Sequence, residues 1–315
     1  MTDVSVTVPT TYLNVTTPNG IYQTQDLNNY TLVASTSAYN SDAVIGMLLC
    51  GTTYVMVTQN QSTYVQNVFT STNLTSWTNV GTFYYSGHGS QNIYFEDVYY
   101  DGTNVIIYGF SNGGSYNTVF SPVSSISWTW ANIGNGGNVI SMAYNGTVYV
   151  ICNSSTPYWY KSTSLTGSWN NFTNGQTYGQ NYGCCCTDSN TSGSILCCGG
   201  SGQTAFYGSG NMSSITNVAH NPSVGVQVCF HSSILNKWFI ADMSNTTSTC
   251  YLSQNLQGDF NSWNNGGTGV GTFYYTQQYS QKMITFFILL SLELPTWFVN
   301  ILLSILQVQH TIPQR

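Results

Sequence analysis

The chain repeats itself, and the repeat limits its fold more than any other feature. The segment Thr24-x-Asp26-Leu27-x-x-Tyr30 returns as Ser71-x-Asn73-Leu74-x-x-Trp77 and as Ser209-x-Asn211-Met212-x-x-Ile215. Longer copies run from Ser162-x-Ser164-Leu165 to Trp169 and from Ser253-x-Asn255-Leu256 to Trp263, and a divergent one spans Ser121 to Trp128. The closing residues Tyr30, Trp77, Trp128, Trp169, Ile215 and Trp263 recur at intervals of roughly 41–51 residues. A second motif sits inside each period: Tyr100-Asp101-Gly102-Thr103 before Val105–Tyr108, Tyr144-Asn145-Gly146-Thr147 before Val148–Ile151, and Cys50-Gly51-Thr52 before Tyr54–Val57. Asp-Gly or Asn-Gly between two apolar runs marks a tight hairpin, because both central residues take positive φ.

Each unit therefore reads as strand, tight turn, strand, longer loop, strand, Ser-x-Asn-Leu turn, strand. Val, Ile, Tyr and Thr fill the strands, as β propensity favours, and no helical stripe appears before residue 282. Four strands per period of this length is the signature of an all-β, six-bladed β-propeller of four-stranded blades. Residues 1–19 read as an N-terminal arm, 20–282 as the propeller repeats and 283–315 as an apolar C-terminal tail. The motif at residues 22–33 has no inner strands before it, and Thr272–Tyr275 repeats the opening of an earlier unit, Thr82–Tyr85. Both termini are thus expected to share one blade, with residues 271–310 giving inner strands and 20–33 an outer strand, which removes two exposed edges. Seven blades, or an incomplete ring, are the alternatives.

The string Ser162-Thr163-Ser164-Leu165-Thr166-Gly167-Ser168-Trp169 resembles a degenerate Asp-box, the turn between outer strands in sialidase-type (BNR-like) propeller blades. Ser121 to Trp128 has the same span, and the resemblance covers roughly residues 20–275. It implies the propeller fold. It carries no activity across, because the family's arginine cluster for a substrate carboxylate has no counterpart in a chain whose one arginine is Arg315.

The tail has three readings. Ile284–Leu290 and Trp297–Leu303 could be buried strands of the last blade. Residues 284–308 could form a membrane segment, against the cost of Glu293 and Pro295 in its middle. The tail could also be unrelated to the repeat.

Only 4% of residues are charged, with 4 Lys+Arg against 10 Asp+Glu, where ordinary domains run at about 25%. An aromatic content of 15% excludes disorder. Lys161, Lys237, Lys282 and Arg315 are too few and scattered for phosphate neutralisation, so no nucleic-acid partner is expected. Residues 1–18 have neither the basic nor the apolar region of a secretory signal. Sequons such as Asn14, Asn73, Asn145, Asn171 and Asn245 follow from the abundance of Ser and Thr and are no sign of glycosylation.

Nine cysteines include the run Cys184-Cys185-Cys186 and the pair Cys197-Cys198. Their spacing is not that of structural zinc, and consecutive strand residues face opposite ways. Small buried core residues are the preferred reading, with a disulfide or a metal site as alternatives; no cofactor is expected. For glycosidase chemistry the carboxylates to consider are Glu96, Asp97, Asp101, Asp42, Asp188 and Asp242. Asp101 and Asp26 are already turn residues, and alternation on the strand Ile93–Tyr100 lets at most one of Glu96 and Asp97 reach a shared site. His88, His220, His231 and His310 show neither metal nor triad spacing.

What remains is a neutral palette of aromatic rings with amides and hydroxyls. The expected ligand-binding residues are Tyr84, Tyr85 and His88, then Tyr158, Trp159 and Tyr160, then Tyr178 and Tyr182, then Tyr274 and Tyr275. The expectation is a non-catalytic recognition propeller on a virion or cell surface, binding neutral glycans or a protein receptor. Low charge also leaves self-association unopposed. The alternatives are a scaffold anchored in a membrane through residues 284–308, and a glycoside hydrolase or lyase using Glu96 or Asp97.

Overall fold

A computed structural model describes residues 13–17, 20–24, 29–40, 42–60, 62–63, 65–84, 93–111, 116–134, 137–153, 159–172, 183–188, 193–199, 205–218, 226–232, 237–243, 248–253, 256 and 264–265. Three strands come first: β1 (Leu13–Thr17), β2 (Gly20–Thr24) and β3 (Thr31–Ser35), antiparallel in the order β1-β2-β3. A single 3-10 turn over Thr36–Tyr39 follows. Then come five four-stranded antiparallel sheets in chain order. The first is β4 (Ala43–Cys50), β5 (Thr53–Gln59), β6 (Val65–Ser71) and β7 (Thr78–Tyr84); the second is β8 (Ile93–Tyr100), β9 (Asn104–Ser111), β10 (Thr118–Pro122) and β11 (Thr129–Ala131). The third is β12 (Val139–Tyr144), β13 (Tyr149–Asn153), β14 (Trp159–Ser162) and β15 (Asn170–Asn171). The fourth is β16 (Cys184–Thr187), β17 (Ile195–Cys198), β18 (Phe206–Gly208) and β19 (Ile215–Asn217), and the fifth is β20 (Val226–Ser232), β21 (Lys237–Met243), β22 (Ser248–Ser253) and β23 (Asn264–Asn265).

The N-terminal sheet differs from the sequence expectation. The repeat predicts one outer strand over 20–33 with a plain arm before it, but two strands fill that stretch and β1 lies inside residues 1–19. β1 and β2 pair antiparallel, with Thr17 opposite Gly20. The inner strands expected from residues 271–310, and the tail 283–315 with its candidate membrane segment, lie outside the described residues. Among the described residues no helix is long and apolar enough to cross a membrane.

Strand alternation explains how the sheets stack. On β9, Val105 and Ile107 join a core with Val55, Val57 and Phe83 of the first sheet, while Ile106 and Tyr108 join one with Ile151 and Trp169 of the third. On β13, Tyr149 and Ile151 face the second sheet, and Val150 and Cys152 face Ile195 and Phe206 of the fourth. On β17, Leu196 and Cys198 turn to Trp238 and Ile240 of the fifth. Ile21 and Ala34 pack against Val44, Met56 and Phe69 in the same way. Each middle sheet buries both faces, which is why its second strand reads as an unbroken apolar run rather than an alternation.

The turns are built by the motifs. Asp101 Oδ1 accepts the backbone N–H groups of Thr103 (2.8 Å) and Asn104 (2.6 Å), with Gly102 at φ 97°. Asn145 Oδ1 does the same for Thr147 and Val148, both at 3.0 Å, with Gly146 at φ 87°. In the Ser-x-Asn-Leu turn, Ser71 Oγ accepts from the N–H groups of Asn73 (3.2 Å) and Leu74 (2.9 Å), and Asn73 Oδ1 from those of Thr75 and Ser76 (both 3.0 Å). Leu74 sits at φ 66° and Met212 at φ 57°, a left-handed conformation that costs about 1–2 kcal/mol. Burial offsets that cost, since both side chains are buried, Met212 in the core between the third and fourth sheets.

A β-bulge recurs on the first strand of four of the five sheets. The extra residues are Ile45, Glu96, Ile140 and Gln227, each standing between residues that pair with consecutive partners.

Candidate functional site

The aromatic residues expected to bind a ligand are divided by the fold. Tyr84, at the end of β7, is 48% exposed. Trp159 and Tyr160 are not surface residues: they are buried in β14, Trp159 against Phe206 with ring centroids 5.3 Å apart and Tyr160 in the core shared by the second and third sheets. The expectation is corrected here, because β14 lies between β13 and β15 with sheets on both of its faces. Tyr85, His88, Tyr158, Tyr178, Tyr182, Tyr274 and Tyr275 lie outside the described residues.

The stack has two rims, told apart by the connections they carry. One rim carries the turns between first and second strands and between third and fourth strands. They belong to the same rim because Asn145 Nδ2 donates both to Gly193 O (2.6 Å) and to Gly210 O (2.8 Å), one from each kind of turn in the neighbouring sheet. Lys161 Nζ adds bonds to Asn211 O (3.1 Å) and Met212 O (2.7 Å), and burial lowers its pKa. The connections that join second to third strands and one sheet to the next leave from the opposite rim. Tyr84 stands there, at the start of the connection from β7 to β8.

The carboxylates are used structurally. Asp42, buried, accepts from Asn67 Nδ2 (2.8 Å), Asn60 Nδ2 (3.2 Å) and Thr58 Oγ1 (3.3 Å). Asp101 Oδ2 accepts a 2.6 Å bond from Tyr149 of the next sheet. Asp97 Oδ1 accepts from the Val98 N–H (2.8 Å) and its Oδ2 from the Tyr108 phenol (3.3 Å). Strict alternation does not hold at Glu96 and Asp97, because Glu96 is the bulge residue and the two-residue period breaks there. Both carboxylates act on Tyr108, whose pKa is raised well above 10.0 by burial first, then by the charge of Asp97 and less by that of Glu96.

Sequence reasoning did not find the seam between the fourth and fifth sheets. Cys184 of β16 faces Cys198 of β17 across the ladder, and Cys229 of β20 meets them from the next sheet. Their Sγ atoms all lie within 4.8 Å of one another, and all three residues are buried. Cys186, two residues along β16, lies on the same side of the strand as Cys184 and is less buried. Further along, His231 Nδ1 is 3.4 Å from Asp188 Oδ1, with the imidazole ring 4.7 Å from that of Trp238. The intervening cysteines serve the other seam: Cys185 N–H donates to Ser141 Oγ (3.0 Å), and Cys185, Cys197 and Cys152 share a core with Ile195 and Phe206. Burial raises the thiol pKa values of Cys184, Cys198 and Cys229 well above 9.0. No sequence spacing marks this trio, since register joins two of them and sheet packing adds the third.

No family model matches the chain, and no curated protein matches it. Among solved structures it is similar to YCF48 bound to D1 peptide, at 10% identity over 84% of this chain and 82% of that one, with a TM-score of 0.55. It is similar to the WD40 domain of Toxoplasma gondii coronin at 8% identity over 79% and 67%, with a TM-score of 0.50. Virginiamycin B lyase from Staphylococcus aureus follows at 7% identity over 66% of each chain, with a TM-score of 0.49. At such identities the likeness concerns architecture alone, and the architecture is that of the β-propellers.

Proposed function

We propose that the chain is a non-catalytic recognition propeller that binds a polypeptide partner on the rim opposite its tight turns. The observation that carries this reading is Tyr84, 48% exposed at the start of the β7–β8 connection on that rim. The tight-turn rim is occupied by bonds between sheets, from Tyr149 to Asp101 and from Asn145 to Gly193 and Gly210. In the sequence, the segments between strands add Tyr85, His88, Tyr158, Tyr178 and Tyr182. Rigid rings provide contact area at low entropic cost, and amides provide adaptable hydrogen bonds. A chain with only 4% charged residues suits an uncharged extended segment better than an ionic ligand. The similar propeller YCF48 is itself bound to a peptide, D1, in its solved structure. The engagement of Asp42, Asp97 and Asp101 in structural hydrogen bonds supports a role other than catalysis.

Selection of a displayed random-peptide library against the full chain tests this. Recovered peptides are expected to bind the wild type and to lose at least about tenfold in affinity on Tyr84→Ala/Tyr85→Ala or Tyr178→Ala/Tyr182→Ala, while Thr103→Ala on the opposite rim leaves affinity unchanged. No enrichment of peptides, or equal binding by the rim variants, overturns the reading. A glycan array showing binding that the same variants abolish would replace the polypeptide with a sugar.

A further inference from the structure

We propose that Cys184, Cys198 and Cys229 are a binding site for one thiophilic d10 cation, with Zn2+ as the probe. This is independent of the rim and of what binds there. Sulfur atoms around a tetrahedral zinc at about 2.3 Å stand about 3.8 Å apart, and these three Sγ atoms already lie within 4.8 Å of one another on two sheets. Closing onto a metal needs only side-chain rotation, since the strands holding them are fixed by register and by the Leu196, Trp238 and Ile240 core. Cys186 is on the same side of β16 as Cys184 and less buried, outside the converging trio, and is the next thiol along that strand.

The donor set selects the ion. Buried thiolates discriminate against Ca2+ and Mg2+, which take oxygen ligands, and in favour of zinc or Cu(I). Each ligating thiol loses its proton to solvent as its S–metal bond forms, so the dication replaces protons rather than adding to an existing charge. The Asp188–His231 pair, next along the same two strands, is close enough to order the ligand-bearing ends of β16 and β20.

The test uses the full chain, purified under reducing conditions and titrated with Zn2+, with Co2+ as the spectroscopic stand-in. One ion per chain is expected, together with a thiolate-to-cobalt charge-transfer band, and X-ray absorption of the zinc form should show three or four sulfurs. Cys198→Ser and Cys229→Ser should weaken binding by more than about 100-fold, beyond the usual effect of an outer-shell change. Cys152→Ser, on the other seam, should leave it within about twofold. The absorption measurement needs no variant, so a misfolded mutant does not decide the matter. A shell of nitrogen and oxygen, equal loss in Cys152→Ser, no uptake, or a Cys184–Cys198 disulfide that forms in place of metal binding each overturns the proposal.

Discussion

The phenol of Tyr149 donates a 2.6 Å hydrogen bond to Asp101 Oδ2, while Asp101 Oδ1 holds the backbone of its own hairpin turn. One carboxylate thus closes a turn in the second sheet and fastens the third sheet to it. Tyr149→Phe keeps the ring in the core and removes only the bond to a charged acceptor. It is expected to lower the unfolding free energy by about 1–2 kcal/mol. Denaturant unfolding reads this directly, and an unchanged midpoint would show that the bond contributes nothing across the seam.

Gln66 acts as a piece of backbone. Buried in β6, it accepts from the Phe95 N–H (3.1 Å) and donates to the Phe95 C=O (3.4 Å) of the next sheet, next to the bulge at Glu96. Gln66→Leu preserves volume and strands a buried amide, at a cost of about 1–3 kcal/mol. Hydrogen exchange at Phe95 should accelerate more than that of its neighbours Val105 and Ile107. Uniform protection in the variant would count against the role.

The Ser-x-Asn-Leu turn makes a two-sided prediction. Ser71→Ala removes the acceptor for two N–H groups and should cost about 1 kcal/mol, as loss of a comparable helix cap does. Asn73→Asp keeps the geometry and gives the Thr75 and Ser76 amides a charged acceptor, so it should be neutral or stabilising at pH 7. A thermal melt in which Asn73→Asp falls as far as Ser71→Ala would refute this account of the turn.

Alkaline pH should unfold the protein through its tyrosines. Burial raises the phenol pKa values of Tyr99, Tyr108 and Tyr149 above the ordinary 10.0, with the Asp97 charge adding to Tyr108 and the Asp101 hydrogen bond to Tyr149. The folded state holds these protons more tightly, so their stability is fully present below about pH 10 and is lost as pH climbs towards the folded values. Each phenol contributes a slope of about 1.4 kcal/mol per pH unit in that window. Urea midpoints taken from pH 8 to pH 11.5 should be level at first and then fall. A midpoint unchanged up to pH 11 would contradict the burial of these phenols.

The sequence made the local structure readable and left the contacts between sheets hidden. Asp101-Gly102, Asn145-Gly146 and Ser71-x-Asn73-Leu74 carry their turns in side-chain acceptors and positive-φ positions, so the strands around them follow. The pairing of β1 with β2 lies before the first copy of the Ser-x-Asn-Leu motif at Thr24, so the repeat does not announce it. The bulge at Glu96 has no sequence signal, because an extra residue changes facing without changing composition. Trp159 and Tyr160 look like a recognition loop in sequence, and only the sheets on either side turn them into core. Cys184, Cys198 and Cys229 converge through pairing and packing, which spacing along a chain does not encode.

Each seam also has its own chemistry. Gln66 grips the backbone at Phe95 between the first and second sheets, Tyr149 reaches Asp101 between the second and third, Ser141 meets Cys185 between the third and fourth, and thiols with Asp188–His231 join the fourth to the fifth. The period is shared, but the joints are not interchangeable. A duplicated or transposed unit would present the wrong mate to both neighbours, so growth or shrinkage of this stack by copying a unit would require the joints on either side to be rebuilt.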